Sequence, residues 1–180
     1  QKKMKGYQAD WPAPVPLGQT GPLRGDKKTL LEGGIREPFI LRYPSQVEPK
    51  ESDDFIVSTL DLYPTFCAFA GIDPPQGTVL DGINLLPHLL GRSDQQRKES
   101  LHWAFGGGGT ASKAAMRSGD WKLHIKHFSH KIAGEELYNL AEDIGESENL
   151  IEKQPEKAAA MLEEYKAWFK AVAEPAEAKK

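Results

Sequence analysis

Hydrophobic residues recur with a helical period near the end of the chain and with a two-residue period before it. From residue 155 to residue 172 the apolar positions are three, four and seven residues apart, which predicts an amphipathic helix with Pro155 in its first turn. Four short segments rich in strand-forming residues precede it, separated by polar or glycine-rich turns. These segments are Leu101–Phe105, Ala114–Arg117, Trp121–Lys126 and Glu136–Leu140. We therefore predict a four-stranded antiparallel sheet with the helix Pro155–Val172 packed on one face.

The first half of the chain has a different pattern. Residues 1–24 contain four prolines and no sustained period, which predicts an extended segment. The apolar run Ile35–Tyr43 lies between a glycine pair and a proline and predicts a buried strand. Helical spacing predicts one helix over Thr59–Ala70 and a shorter one over Ile83–Leu90. Strand and helices together indicate an α/β fold.

Composition limits the classes of function. The chain has 180 residues, with 23 basic residues against 26 acidic ones, so it has no overall basic field that would favour a nucleic-acid partner. No apolar stretch approaches the roughly 20 residues that a membrane span needs. The single cysteine, Cys67, excludes an internal disulfide and a cysteine-based zinc site. Its place on the apolar face of a predicted helix favours core packing over nucleophilic catalysis.

Five histidines raise the question of a metal site. His124, His127 and His130 are three residues apart, but they fall on a predicted strand and the loop after it, where helical geometry does not apply. His88 and His102 lie elsewhere in the sequence. We predict solvated or partly packed histidines and no metal site within this chain.

A group of basic residues lies around glycine turns just before the apolar run at residue 35. The group consists of Arg24, Lys27, Lys28 and Arg36. Cationic groups on stiff loops suit a small tetrahedral anion, although a solvated surface loop fits these residues equally well. The segment lacks the glycine spacing and the preceding strand of a P-loop, which argues against a nucleotide site. Gly106–Gly109 also lacks that context and predicts a flexible loop between strands, at the rim of a pocket.

Several short motifs occur in a fixed order along the chain. The most specific is Gly21-Pro22-Leu23-Arg24, then Lys27, then Glu32-Gly33-Gly34-Ile35-Arg36 and Pro38. The others are Asp61-Leu62-Tyr63-Pro64-Thr65, Asp81-Gly82, Arg117–Lys122 and Glu136–Leu140, followed by Asp143, Glu146 and Asn149-Leu150. In this order they resemble the C-terminal part of a type I sulfatase, in the arylsulfatase family of the alkaline-phosphatase-like superfamily.

The resemblance implies the fold and the chemistry of that family. Residues 1–95 would complete a larger α/β catalytic domain, and residues 96–180 would form a C-terminal subdomain of antiparallel sheet and helix. The full protein would hydrolyse sulfate esters with a formylglycine nucleophile and a divalent cation, expected to be Ca²⁺. Cys67 is followed by Ala-Phe-Ala-Gly and so lacks the Cys/Ser-x-Pro-x-Arg signature of the nucleophile, and the first 20 residues contain no Asp-Asn metal pair. Nucleophile and cation are therefore expected upstream of Gln1, and this chain alone is expected to be inactive.

Candidate site residues follow from the same resemblance. Lys27 matches the family lysine that binds the substrate sulfate, which implies an electrostatic catalytic role. His102, Trp103 and the loop Gly106–Ser112 are candidate substrate contacts, since the C-terminal subdomain lines the pocket mouth in such enzymes. Packing of His102 and Trp103 beneath the terminal helix is the alternative.

The resemblance also implies partners and a location. The expected partners are a sulfated small molecule or sulfated glycan and the remainder of the catalytic domain. The expected location is periplasmic, secreted or lysosomal. Two other functions stay open: a phosphomonoester or phosphonate ester hydrolase of the same superfamily, and a non-catalytic carbohydrate-contacting module.

Overall fold

Short helices occupy the first half of the chain, and a sheet with a long helix occupies the second. The structure is a computed structural model and describes residues 19–49, 55–105, 112–128 and 131–173. The helices are α1 (Glu32–Ile35), a 3₁₀ turn (Thr59–Asp61), α2 (Leu62–Ala70), α3 (Leu86–Leu89) and α4 (Pro155–Ala173). The strands are β1 (Leu101–Phe105), β2 (Ser112–Ser118), β3 (Trp121–Phe128) and β4 (Lys131–Asn139).

The four strands form one antiparallel sheet in the order β1-β2-β3-β4, as the sequence predicted. Strand β1 has the predicted bounds, while β4 begins five residues earlier than predicted, at Lys131. A bulge between His124 and Ile125 shifts the register of β3 against β4. The extra residue lets the sheet bend and twist locally.

Helix α4 covers one face of this sheet, as predicted. Met161 and Tyr165 project from the helix into the core and are at most 4% exposed. Burying a large apolar side chain of this kind stabilises a fold by roughly 1.5–3 kcal/mol. The strands contribute Ala114, Met116, Leu123, Ile125 and Leu137 to the same cluster. The hydrophobic stripe of α4 thus holds this side of the sheet together.

The opposite face of the sheet is also covered, but by polar contacts. Alternation along β3 places Lys122 and His124 on the face away from α4, where Lys122 is fully buried. Both side chains contact carboxylates from outside the sheet. The sheet therefore lies between an apolar layer and a layer of paired charges.

The predicted strand over Ile35–Tyr43 is wrong. Its first residue ends α1, and residues 36–43 form no regular secondary structure. Ile40 is 90% exposed, and Phe39 is 44% exposed. A strand needs neighbouring strands to satisfy its backbone hydrogen bonds, and within the described residues no partner strand lies beside this run.

The prediction of a helix over Thr59–Ala70 is confirmed, with a 3₁₀ first turn. Ser58 and Asp61 form a reciprocal capping box, and Gly71 ends the helix in the left-handed conformation. Cys67 is buried, as predicted. The helix predicted over Ile83–Leu90 is confined to Leu86–Leu89.

A buried ion pair joins this helical half to the segment just before β1. Arg97 donates from Nη1 to both carboxylate oxygens of Asp61 at 2.8 and 2.9 Å, and both side chains are at most 1% exposed. Asp61 Oδ1 also accepts the backbone N–H of Ile83 at 2.8 Å. The pair crosses the domain limit predicted at residue 95, which itself stays a prediction.

Candidate functional site

Lys27 lies at the tip of a loop that folds back on itself between Arg24 and Gly34. The N–H of Gly33 donates to the carbonyl of Arg24 at 2.8 Å and closes the loop at its base. Near the tip, the backbone N–H and the hydroxyl of Thr29 both donate to the carbonyl of Asp26, at 3.1 and 2.7 Å. These hydrogen bonds make the loop compact.

Two glycines allow the two ends of the loop to approach each other closely. A Cβ on Gly33 would lie 2.4 Å from the carbonyl oxygen of Gly25, and one on Gly34 would lie 2.5 Å from that of Asp26. Neither distance is possible for a real side chain. The glycine pair is therefore required by close backbone contact, not by flexibility.

The two lysines at the tip are exposed. Lys28 has a φ of 78°, in the left-handed region, which costs a residue with a side chain about 1–2 kcal/mol. Within the described part of the chain, Lys27 forms no hydrogen bond or ion pair. The Lys27 ammonium is thus held on a stiff loop and is not neutralised by the chain around it.

Glu32, in α1, connects the end of this loop to the sheet. Its carboxylate is almost fully buried and lies 2.8 Å from Lys122 Nζ and 3.5 Å from Arg117 Nη1. Arg36, one turn later, lies 3.8 Å from the same carboxylate. The family positions Glu32 and Arg36 therefore serve the architecture of the loop.

Glu146 is the second buried carboxylate of this network and is fully buried. Its oxygens contact the backbone N–H of Glu32 at 2.7 Å, His124 Nε2 at 2.8 Å and Lys122 Nζ at 3.0 Å. Burial alone would raise the pKa of Glu146, but the hydrogen bonds from His124 and Glu32 and the charge of Lys122 outweigh it and lower that pKa. The carboxylate is therefore ionised at neutral pH.

The backbone around Glu146 is built for this placement. Glu146 has a φ of 51°, an uncommon conformation for a residue with a side chain. Asp143 organises the turn, because its carboxylate accepts the N–H groups of Ser147 and Glu148 at 2.7 and 2.8 Å. These bonds, the one from Glu148 first, lower the pKa of Asp143.

The structure separates the four basic residues that the sequence grouped as an anion site. Arg24 donates from Nη1 to the Tyr138 hydroxyl at 3.0 Å and to the carbonyl of Glu146 at 2.6 Å. Arg36 pairs with Glu32. Lys27 and Lys28 make no such contact among the described residues and are exposed at the tip of the loop.

His102 and Trp103, the candidate substrate contacts, lie on opposite faces of β1. The His102 ring stacks on Trp168 of α4, with 4.7 Å between ring centroids, and burial lowers its pKa. Its Nε2 has no hydrogen-bond partner among the described residues. Trp103 is half-buried on the face that carries Lys122 and His124. Of the loop Gly106–Ser112, residues 106–111 lie outside the described residues.

The remaining histidines do not assemble into a site in the described residues. The His88 ring stacks on Phe55, far along the chain from His124 and its partner Glu146. His130 and the side chain of His127 lie outside the described residues. Across the described ranges, no three His, Cys, Asp or Glu side chains form a group that could hold a metal ion. No described helix has the length and apolar character of a membrane span.

The chain matches a known protein family over most of its length. The family described as N-sulphoglucosamine sulphohydrolase, C-terminal, matches residues 24–171. The chain belongs to the sulfatase family. The match begins at Arg24 and ends in α4, so it includes the loop, the sheet and the helix that packs on it. The order of motifs predicted this membership.

Individual relatives agree with this assignment. Bovine arylsulfatase A is 33% identical over 167 residues, covering 83% of this chain and 32% of the relative. Human N-acetylgalactosamine-6-sulfatase is 41% identical over 78 residues, covering 43% of this chain and 15% of the relative. The chain thus spans about a third of the length of the longer-matching relative.

A solved structure supports the fold. A sulfatase from a Bacteroides thetaiotaomicron locus for metabolism of multiple glycosaminoglycans superposes with a TM-score of 0.61 at 23% identity, covering 84% of this chain and 32% of that protein. The α/β fold class and its C-terminal sheet and helix are therefore those of a sulfatase.

The first prediction concerns the glycine pair. We expect Gly33→Ala to lower the free energy of unfolding of the whole protein by about 1–3 kcal/mol, because the new methyl group would overlap two backbone carbonyls. Gly134→Ala is the matched control, since its methyl group would meet only the flexible ends of Ile151 and Leu123 at 3.4 and 3.5 Å. The control should change stability by less than about 1 kcal/mol in urea unfolding. Equal effects of the two substitutions would contradict the close-contact argument.

The second prediction concerns pH. The folded pKa of Glu146 lies below its ordinary value of 4.5, so its ionised form stabilises the fold above about pH 4.5, and this stabilisation is lost as the pH falls through the folded pKa. Glu146→Gln should cost about 1.5–3 kcal/mol at pH 7, because it removes charged hydrogen bonds from a buried network and leaves Lys122 with Glu32 as its remaining carboxylate partner among the described residues. The difference in free energy of unfolding between wild type and variant, measured in urea, should decrease from pH 5 to pH 3.

The control for the pH series is Glu135→Gln, which removes the carboxylate of a surface pair with Lys126. That pair is half-exposed, so we expect a loss of no more than about 1 kcal/mol at neutral pH. A gap for Glu146→Gln that stays constant down to pH 3 would show that the ionised carboxylate is not the source of the stabilisation.

Proposed function

We propose that this chain is the C-terminal part of an enzyme that hydrolyses sulfate esters, and that Lys27 binds the sulfate group of the substrate. The observation that carries the proposal is the placement of Lys27: an exposed ammonium, without an internal partner in the described residues, at the tip of a stiff loop. A compact cation on a rigid support stabilises negative charge on a transferring group, because it needs no reorganisation during the reaction.

The remaining site would come from the rest of the protein. A formylglycine nucleophile and a divalent cation, Ca²⁺ by resemblance, are proposed to come from a part of the enzyme outside this chain, which covers only 32% of bovine arylsulfatase A. Such a cation polarises the sulfate oxygens. Cys67 is buried in the helical half and does not act as the nucleophile. Residues 1–180 alone are expected to turn over no sulfate ester.

An exposed apolar surface supports the presence of a larger catalytic domain. Seven large apolar side chains between residues 39 and 79 are at least 44% exposed, namely Phe39, Ile40, Leu60, Tyr63, Phe66, Ile72 and Val79. Soluble proteins rarely leave such a concentration of apolar residues in water. The proposed occupant is the remainder of the catalytic domain, whose sheet would also supply neighbours for residues 36–43.

The names of two similar proteins support a proposal for the substrate class. One relative acts on an N-acetylgalactosamine 6-sulfate, and a structural neighbour belongs to a glycosaminoglycan locus. We propose a sulfated glycan as the substrate, with Trp103 as a contact, because a half-buried aromatic ring on the sheet face that carries Lys122 and His124 suits a sugar ring. His102 is proposed as a second contact, with its ring stacked on Trp168. A periplasmic, secreted or lysosomal location stays part of this proposal.

The test is turnover by the whole protein. We expect hydrolysis of an aryl sulfate, with little activity on the matching phosphate ester. Lys27→Ala should lower kcat/KM. The decrease should correspond to a loss of at least about 2 kcal/mol of transition-state stabilisation, as expected for the removal of one preorganised charged partner. Unfolding of the variant should match that of wild type, since Lys27 is exposed.

Lys28→Ala is the control, because Lys28 neighbours Lys27 on the same exposed tip. We expect it to change kcat/KM by less than about threefold, which corresponds to less than 0.7 kcal/mol. A large effect at Lys28 and none at Lys27 would transfer the sulfate-binding role to Lys28. Preferred turnover of the phosphate ester would favour the phosphoester hydrolase instead.

A further inference from the structure

Both ends of the Lys27 loop are attached to a single residue. At the start of the loop, Arg24 Nη1 donates to the backbone carbonyl of Glu146 at 2.6 Å. At its end, the backbone N–H of Glu32 donates to the carboxylate of Glu146 at 2.7 Å. Since the two ends also bond to each other through Gly33 and Arg24, Glu146 fixes the base of the loop as one body.

Glu146 is in turn fixed by the middle of the sheet. Lys122 and His124 of β3 contact its Oε1 at 3.0 and 2.8 Å. Strand β3 is paired on both sides, with β2 and β4, so these two side chains stand on an interior strand of the sheet. Lys122 Nζ also lies 2.8 Å from the carboxylate of Glu32. One ammonium therefore contacts the carboxylates of both Glu32 and Glu146.

We infer that Glu146 is a positioning residue that sets the location of the Lys27 ammonium, with Lys122 and His124 holding Glu146 itself. The inference rests on the proposed function, because it requires Lys27 to bind the substrate sulfate. It goes beyond that function in giving the C-terminal sheet a part in the reaction. The sheet acts through the loop and touches no reacting atom.

The geometry explains how a residue remote from the tip acts on it. The hydrogen bonds within the loop and the close contacts of Gly33 and Gly34 make the loop move as a unit. Lys27 and Lys28 are exposed and form no hydrogen bond or ion pair with other described elements. A shift at the base is therefore passed to the tip, and a misplacement of about 1 Å can cost on the order of 100-fold in rate.

A double-mutant cycle in the whole protein tests this. Glu146→Gln, Lys27→Ala and the double variant are compared by kcat/KM on an aryl sulfate, alongside their unfolding curves. We expect Glu146→Gln to lower kcat/KM by about 10-fold to 100-fold in the presence of Lys27. In the Lys27→Ala background, Glu146→Gln should lower kcat/KM by less than about twofold, because there is no longer an ammonium to misplace.

Asp61→Asn is the matched control for lost stability. Asp61 also belongs to a buried ion pair, with Arg97, but it contacts neither the loop nor Glu146 in the described residues. Whatever effect Asp61→Asn has on kcat/KM should be the same with and without Lys27. If Glu146→Gln behaves in this additive way too, its role is structural only and the inference is overturned.

A milder pair of variants covers the case in which Glu146→Gln does not fold. His124 is 12% exposed, and its ring contacts Glu146 from the sheet. His124→Leu removes the hydrogen bond and should lower kcat/KM several-fold in a Lys27-dependent manner. His124→Gln keeps a donor and should restore most of the activity.

The outcomes separate this inference from the proposed function. A large effect of Lys27→Ala together with no effect, or a Lys27-independent effect, at Glu146 and His124 would overturn the positioning role alone. No effect of Lys27→Ala would overturn both. A Lys27-dependent loss at Glu146, partly restored by His124→Gln relative to His124→Leu, is the result that we expect.

Discussion

The charges buried between the Lys27 loop and the sheet are the constraint on which the rest of the structure depends. Lys122 and Glu146 are completely removed from water, and Glu32 almost so. Burying a single charge costs several kcal/mol, and only a partner at hydrogen-bond distance offsets that cost. Glu32 comes from the loop, Lys122 from the sheet and Glu146 from the turn after it. None of the three elements can bury its charge without the other two, so they have to fold together.

The two faces of the sheet are consequently held by different forces. On the α4 side, Met161 and Tyr165 pack against strand residues, and the contact is favourable over a range of small displacements because the hydrophobic effect has no direction. On the loop side, the contacts are hydrogen bonds of 2.7–3.0 Å whose energies fall steeply with distance and angle. The apolar side supplies stability, and the polar side fixes the relative position of two elements.

The sequence predicts the apolar side well and the polar side poorly. Helix α4 and the strands of the sheet follow from periodicity, because their core residues repeat at the helical or strand period. The same alternation makes Lys122 and His124 look like solvent-facing residues, since a polar residue between two apolar ones is typical of an exposed face. Their partners Glu32 and Glu146 are 90 and 22 or more residues away in sequence, and no local pattern links them. The strand prediction over Ile35–Tyr43 fails for a related reason: a short apolar run fits a buried strand locally, but no partner strand lies beside it within the described residues.

An apolar contact could have attached the loop to the sheet at lower cost, since replacing buried ion pairs by packed hydrophobic residues is often neutral or stabilising. Such a contact would fix the position of the loop less sharply, because the hydrophobic effect has no direction. The proposed sulfate-binding role of Lys27 would need that accuracy, because Lys27 lies at the tip of a loop and a hydrogen bond from its ammonium to an anion would weaken steeply with poor geometry. The strained backbone of Glu146, with φ of 51°, fits the same logic, because strain of this kind persists only where surrounding contacts over-determine the position. If Lys27 binds the substrate sulfate as proposed, the polar attachment serves to place its ammonium, and the hydrophobic packing under α4 offsets the cost in stability.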